Sequence, residues 1–295
     1  MDGIKIGLIG GSGLADVLLA GATAMTRHEV TTPFGQPSDA IIETTWAGVP
    51  IFILARHGEA HTIAPSFVPY RANIFALKQL GCTHVLASGA VGSLREEIRP
   101  RDLVVIDQII DKTTKRAATF YERAAVHVDF SEPMCPVLRK VLVDAAGDLA
   151  IHDKGCYVVM EGPAFSTRAE SLMHRLWGGD LVGMTAMPEA KLAREAELPY
   201  ALVALVTDYD SWKARSGPAI DHATVMSEIL AHLKAASENG VRLMQRAIEL
   251  IAGNPERIAE CPARDALKLA IWTQKTKIPS QEIERLAPLW SRYFS

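Results

Sequence analysis

Five stretches of this chain place chemically able side chains directly after a short apolar run. The first is Gly10-Gly11-Ser12-Gly13, where glycines let the backbone approach an anion closely and Ser12 adds a hydroxyl donor. It is not GxGxxG, and an ordinary tight turn is the alternative. The second is Arg56-His57-Gly58, with His61 close behind. A guanidinium fork and an imidazole beside a glycine suit a tetrahedral oxyanion; the alternative is an arginine paired with a carboxylate and a satisfied histidine. The third, Ser88-Gly89-Ala90-Val91-Gly92-Ser93, reads as a small-residue turn able to present backbone N–H groups. Three such ends together point to phosphate. The fourth, Glu161 to Ser166, offers the Phe165 ring and the Ser166 hydroxyl to a flat ligand. The last, Thr207-Asp208-Tyr209-Asp210, carries carboxyls at i and i+2, which point the same way along an extended strand. A carboxyl beside another acid in a half-buried cleft has a raised pKa and suits a proton donor. A solvated turn or a helix cap is the alternative there. A cation site is a third option, but no further Asp, His or Glu stands nearby at ligand spacing.

Side chains so far apart in sequence need a frame to bring them together. Strand candidates are Ile4–Ile9, Pro50–Ala55, His84–Ala87, Leu103–Ile110, Tyr157–Met160, Leu181–Met184 and Tyr200–Val206. Most are rich in Val, Ile and Leu without period-2 polar alternation, as strands buried on both faces are. Helical patterns lie between them at Tyr70–Leu80, Cys135–Leu149, Thr167–Leu176 and Met187–Ala196. The alternation predicts an α/β fold, a single domain over 1–251 with a mixed, mostly parallel central sheet flanked by helices. In such a sheet ligands bind beyond the carboxyl ends of the strands, where the five stretches fall. A long amphipathic helix, Ala223–Ile251, follows, with Val225, Ile229, Leu230, Leu233, Val241, Met244 and Ile248 at roughly helical spacing. Residues 252–295 form a C-terminal helical tail with a helix expected at Ala263–Thr273. Its Trp272, Trp290, Tyr293 and Phe294 predict packing on the domain or on a neighbouring subunit.

Composition narrows the partners. A net charge of −3 supplies no basic field, so nucleic acid and anionic membranes are not expected and any anionic ligand must be held locally. No apolar run reaches the ~18 residues of a membrane span, and Met1–Gly13 lacks the features of a signal peptide. Cys82, Cys135, Cys156 and Cys261 show no CxxC or CxxH spacing, which argues against disulfides and zinc. A cytoplasmic globular protein is expected.

Longer strings then make the arrangement specific. They include Ile9-Gly10-Gly11-Ser12-Gly13-Leu14, Thr32-Pro33-Phe34-Gly35, Leu54-Ala55-Arg56-His57-Gly58 and His61-Thr62-Ile63-Ala64-Pro65-Ser66. Glu161-Gly162-Pro163, Met184-Thr185-Ala186-Met187-Pro188-Glu189 and Thr207-Asp208-Tyr209-Asp210-Ser211-Trp212 continue the series. Over roughly residues 4–250 the chain resembles the 5′-methylthioadenosine phosphorylases of the trimeric purine nucleoside phosphorylase superfamily. The resemblance implies phosphorolysis: phosphate displaces adenine at C1′, giving adenine and 5-methylthioribose 1-phosphate. It assigns phosphate, the co-substrate, to Ser12, Arg56, His57, the Gly89–Ala90 turn and Thr185. Met184 would lie against the ribose and Phe165 against the purine. Asp208 and Asp210 would recognise the 6-amino group and N7, with Asp208 as proton donor. His127 would reach into a neighbouring subunit's 5′ pocket, implying a homotrimer. Neither metal nor organic cofactor is required.

Three features bear on substrate choice. Ser166 and Asp208 stand where 6-oxopurine phosphorylases carry Glu and Asn, which favours adenine over methylthioinosine or inosine. His222 with Val225 matches the pattern of purine nucleoside phosphorylases that bind a 5′-hydroxyl, so adenosine or 5′-deoxyadenosine is a possible further substrate. Gly89 stands where the family often has Thr, removing one hydroxyl from the phosphate site. A non-catalytic nucleoside sensor and a water-using hydrolase are the readings from other classes.

Overall fold

The computed structural model describes residues 3–11, 25–213 and 222–294. Ser12 and the side chain of His222 therefore lie outside the described residues. Eleven strands among the described residues join one sheet: β1 (Ile6–Gly10), β2 (Thr26–His28), β3 (Ile41–Trp46), β4 (Val49–Ala55), β5 (His84–Ser93), β6 (Leu103–Val105), β7 (Gln108–Asp111), β8 (Ile151–His152), β9 (Cys156–Val159), β10 (Leu181–Gly183) and β11 (Tyr200–Asp208). The helices are α1 (Tyr70–Gln79), α2 (Pro136–Asp144), α3 (Arg168–Leu176), α4 (Glu189–Glu195), α5 (His222–Gly253) and, near the C-terminus, α6 (Ser280–Arg285) and α7 (Ala287–Trp290). None is long and apolar enough to cross a membrane.

Central strands bury both faces, and side-chain alternation sorts them between two cores. On β11, Ala201, Val203 and Leu205 join the cluster beneath α2 and α5, while Tyr200, Leu202, Ala204 and Val206 join the one beneath α1 and α4. β4 divides likewise, with Ile51 and Ile53 on one side and Phe52 and Leu54 on the other. This explains why these strands read as continuous apolar runs in the sequence.

The path of the sheet makes the site. The order is β2-β3-β4-β1-β5-β10-β9-β7, with β11 and then β6 branching from the opposite edge of β5. β1 pairs in parallel with β5 from Ile6↔His84 to Ile9↔Ala87. β10 comes to the same edge from the other direction and pairs antiparallel with Gly92 and Ser93. Between them, residues 88–91 pair with no strand on that edge among the described residues, while the other edge is paired with β11. The carboxyl ends of β1, β4 and β10 converge on this gap, the crevice that open α/β sheets use for ligands.

Several expectations need correction. Gly89 and Ala90 are not a turn: β5 runs on to Ser93, pairing Gly89 with Ala204 and Ala90 with Leu205. Leu103–Ile110 is two strands, because the chain leaves β11 after Val105 and crosses to β9 from Gln108. Ala263–Thr273 is not an α-helix. Pro262–Asp265 makes one 3-10 turn, and the backbone then turns to the 125–127 segment, with Trp272 N–H donating to the Ala125 carbonyl and His127 N–H to Ala270. Those cross-chain bonds satisfy the groups a helix would have paired internally. The tail aromatics divide: Trp290 is fully buried, 4.8 Å from the Tyr121 ring and 5.0 Å from Phe294, and Tyr293 and Phe294 pack against the same core, whereas Trp272 is 70% exposed.

Candidate active site

A cavity of about 500 Å³ opens over the gap in the sheet. Arg56, His57, Gly89, Ala90, Phe165, Met184, Thr185, Asp208 and Asp210 all line it. Ser166 is buried beside them, its carbonyl accepting from the Ser211 hydroxyl at 2.7 Å. His127 and Val225 do not line it.

At one end the cavity is built for an anion. Arg56 ends β4 and is fully buried. Its Nε and Nη2 donate to the two carboxylate oxygens of Glu189 at 2.6 and 2.8 Å, and Nη1 donates to the Ser88 carbonyl at 2.7 Å. Burial alone would depress this guanidinium, and Glu189 more than reverses that, leaving it raised. The Nε–Nη2 edge of the fork is thus engaged by Glu189, and one N–H on each of Nη1 and Nη2 is left for a ligand. His57 is buried, and its Nδ1 lies 2.8 Å from the Ile63 carbonyl. A carbonyl only accepts, so Nδ1 carries the proton and Nε2 is an acceptor. Burial, with Arg56 adding, pushes the imidazole down to about 4. Ala60 and His61 both adopt positive φ, a turn that lays the His61 ring 4.3 Å from that of His57.

Two glycines of β5 make room for polar groups. A Cβ on Gly89 would stand 3.0 Å from the Thr185 hydroxyl, so the missing side chain leaves space for that hydroxyl. A Cβ on Gly92 would meet Asp210 Cβ at 3.1 Å and Asp208 Oδ1 at 3.2 Å.

The acids at the other end are not on one extended strand. β11 bulges at Thr207, where the register slips from Val206↔Val91 to Asp208↔Gly92, and this re-aims Asp208. Asp210 opens a 3-10 turn with φ of 46°. The two meet because Asp208 Oδ1 accepts the Asp210 N–H at 2.7 Å while its Oδ2 accepts the Thr207 hydroxyl at 2.6 Å. Burial holds the Asp210 carboxyl above its usual range, and the Asp208 charge adds to the rise. Trp212 fixes the turn by donating from Nε1 to the Ser93 carbonyl at 2.8 Å, with Arg175 stacked 3.7 Å over its ring.

Comparison with known proteins places the chain in a family. Residues 5–249 match the family model of the phosphorylase superfamily. The chain is 45% identical to S-methyl-5′-thioadenosine phosphorylase of Thermosynechococcus vestitus, over 98% of this chain and 99% of that one. It is 46% identical to the same-named protein of Danio rerio, over 84% and 89%. The crystal structure of a methylthioadenosine phosphorylase from an Antarctic soil metagenomic library superposes with a TM-score of 0.85 at 40% identity, over 98% and 99% of the two chains. A variant of the adenosine/methylthioadenosine phosphorylase of Schistosoma mansoni, in complex with methylthioadenosine, gives 0.81 at 36%, over 92% and 100%. The chain belongs to the methylthioadenosine phosphorylase family of the phosphorylase superfamily.

For a member of this family the remaining wall matters most. It is aliphatic: Ile229 and Leu233 of α5 line the cavity. These are one and two turns beyond Val225, so the expected contact lies further along the helix. His232, between them, is turned to the sheet, where its Nδ1–H donates to the Thr207 carbonyl at 2.9 Å and pins α5 to the bulge.

Sequence reasoning also passed over Arg116. Its side chain is almost fully buried and donates from Nε to Glu161 Oε1 at 3.0 Å, from Nη2 to the Glu161 carbonyl at 2.7 Å, and from Nη1 to the carbonyls of Met184 and Met187 at 2.5 and 2.6 Å. It thereby ties the loop carrying Phe165 to the one carrying Met184 and Thr185. Burial opposes ionisation of Glu161, but bonds from the Ser66 hydroxyl, the Thr114 and Lys115 N–H groups and Arg116 outweigh it and bring the carboxyl down to about 2. Nothing in the sequence around Arg116 marks it; only the family's strings on either side of it do.

Proposed function

We propose that the chain catalyses phosphorolysis of 5′-methylthioadenosine to adenine and 5-methylthioribose 1-phosphate. One observation carries the reading: a single cavity joins an anion end (Arg56, His57, Thr185), an acid pair (Asp208, Asp210) and an aliphatic wall (Ile229, Leu233).

Phosphate sits at the gap in β5 near Thr185 and the Arg56 charge. Neutral His57 accepts a hydrogen bond at Nε2 from the P–OH of the phosphate, which leaves the charged oxygens turned towards the sugar. Adenine lies by Phe165 with its amino group donating to Asp208; a 6-oxo group would meet that carboxylate lone pair to lone pair. The C1′–N9 bond breaks with its electron pair going to the base, and the acid pair delivers a proton to N7, so adenine departs neutral. Asp210, whose burial favours the protonated form, backs Asp208 in this role. Positive charge on the ribose is met by the phosphate, whose oxygen then bonds C1′. The methylthio group fits the Ile229–Leu233 wall better than a hydroxyl does. An exposed His127 outside its own cavity supports a trimer in which it serves the neighbouring site.

The test is adenine release from methylthioadenosine with and without phosphate, run beside methylthioinosine and adenosine. Phosphate-dependent release with methylthioinosine inert is expected. Preference for methylthioinosine overturns the base reading, and release without phosphate means hydrolysis.

A further inference from the structure

A second cavity, of about 330 Å³, lies at the opposite ends of the strands. Lys78 at the end of α1, Cys82 and Thr83 just before β5, and Glu197 just before β11 form its floor; Arg264 and residues 287–292 of the C-terminal segment close it. It shares no lining residue with the active-site cavity.

Its charges do not balance. Glu197 is buried and already engaged: Oε1 accepts the Leu267 N–H at 2.9 Å and the Tyr293 hydroxyl at 2.6 Å, and Oε2 accepts from Arg292 at 2.7 Å. Arg292 takes that carboxylate together with Asp265, whose Oδ1 accepts from it at 3.1 Å, so the two acids present are both spent on Arg292. Arg264 has no carboxylate partner among the described residues, its guanidinium reaching only the Ala259 carbonyl at 3.3 Å. The Lys78 ammonium makes no hydrogen bond or ion pair with a described residue, although the side chain is half-buried. Burial lowers its pKa; Glu197 works the other way, and Arg292 and Arg264 push it lower still. A half-buried cation facing a second cation across a concave wall is a destabilising arrangement unless an anion joins it. The bland alternative is a lysine whose stem covers apolar surface while its head reaches water. That accounts for Lys78 alone and leaves Arg264 beside it unexplained.

We propose that this cavity is an anion site that takes a phosphate group between Lys78 and Arg264. Arginine and lysine together are the usual donors for phosphate oxygens, and the volume leaves room for a small ester as well as for the free ion. The inference does not depend on the reaction assigned above.

Titration calorimetry on the full chain, with inorganic phosphate and separately with ribose 5-phosphate, tests it. The unsubstituted protein should show two classes of site per chain. Lys78→Met, which keeps the apolar stem, and its combination with Arg264→Gln should weaken one class roughly tenfold or more and leave methylthioadenosine turnover at saturating phosphate unchanged. Tighter binding of ribose 5-phosphate at that class identifies an ester site, and the reverse order a site for the free ion. A single class in the unsubstituted protein, or a second class indifferent to Lys78, overturns the proposal. Should the double variant fail to fold, acetylation of Lys78 in the unsubstituted protein gives the same answer: phosphate must protect it, and unprotected labelling overturns the site. Two classes without phosphate-dependent turnover would strike the reaction reading alone.

Discussion

At the scale of single residues, the site works by pairing groups that are far apart in the chain. Arg56 and Glu189 are separated by 133 residues and meet fully buried, with the Tyr200 hydroxyl donating to the same carboxylate at 2.8 Å. The arginine is thereby rigid and its charge is held at the carboxyl end of β4 without being free to swing onto a ligand. Asp208 is held just as firmly, by the Thr207 hydroxyl and the Asp210 backbone. Asp208→Ala should therefore keep the nucleoside pocket yet lower the turnover of methylthioadenosine by roughly 10²–10⁴, the usual scale of a general acid. Single-turnover adenine release, with binding measured separately, checks it. A loss below about tenfold would move the proton donation to another group. The residue types at these positions were legible in the sequence, because strand ends with Gly, Arg, His and Asp have few uses. The partner of Arg56 was not, since a buried ion pair leaves no periodic or local trace.

Elements decide how those residues meet. The strands buried on both faces were visible as apolar runs, whereas β2, β3 and β8 were passed over, being short, half-exposed or rich in polar residues. β3 had a signal: Ile41-Ile42 and Thr44-Thr45-Trp46 lead into Ala47-Gly48, whose positive φ values make the two-residue hairpin to β4. The length of β5 was hidden because Gly89, Ala90 and Gly92 look like turn residues, although here Gly89 leaves space for Thr185 and Gly92 for the acids. The amphipathic face of α5 was clear, but which of its turns reaches the cavity depends on the His232 anchor. Leu233→Ser should therefore raise KM for methylthioadenosine by about tenfold or more, the worth of a lost apolar contact in a pocket, and change adenosine turnover far less. Equal effects on both substrates would place the 5′ group elsewhere. α4 supplies a different expectation. It begins at Glu189 and ends at Glu195, a buried carboxylate that accepts the Phe120 N–H at 2.8 Å. Burial pushes Glu195 up to about 7. The folded protein then holds a proton that the unfolded chain has released above about 4.5, so this contribution is full below that pH and is lost as pH rises through 7. Glu195→Gln should remove roughly 3 kcal/mol of that decline. Denaturant midpoints of the two proteins measured from pH 5 to 8 should diverge; parallel curves would mean Glu195 ionises normally.

At the scale of the whole molecule, the chain leaves an apolar surface open beside a buried C-terminal anchor. Trp290 and Ile258 bring the C-terminal segment into both cores, so this segment is anchored on its own chain. It still exposes Leu269 and Trp272, at 87% and 70%, and the Trp272 ring stands edge-on to His127 at 4.6 Å. An apolar pair carrying an imidazole, exposed and away from its own cavity, is what a surface completing a neighbour's site requires. If the trimer closes head to tail, each site draws Asp208 from one chain and His127 from the next. His127→Ala and Asp208→Ala are then defective in different halves of a site. Unfolded together in equal amounts and refolded, they should form mixed trimers. A site is intact when a His127→Ala chain, which keeps Asp208, is served by an Asp208→Ala chain, which keeps His127. Random assembly makes about a quarter of the sites intact, so phosphate-dependent adenine release should rise to about a quarter of the unsubstituted rate. A mixture showing only the average of its two parents would mean that every site is built within one chain, and that the exposed His127–Trp272 surface serves something other than catalysis.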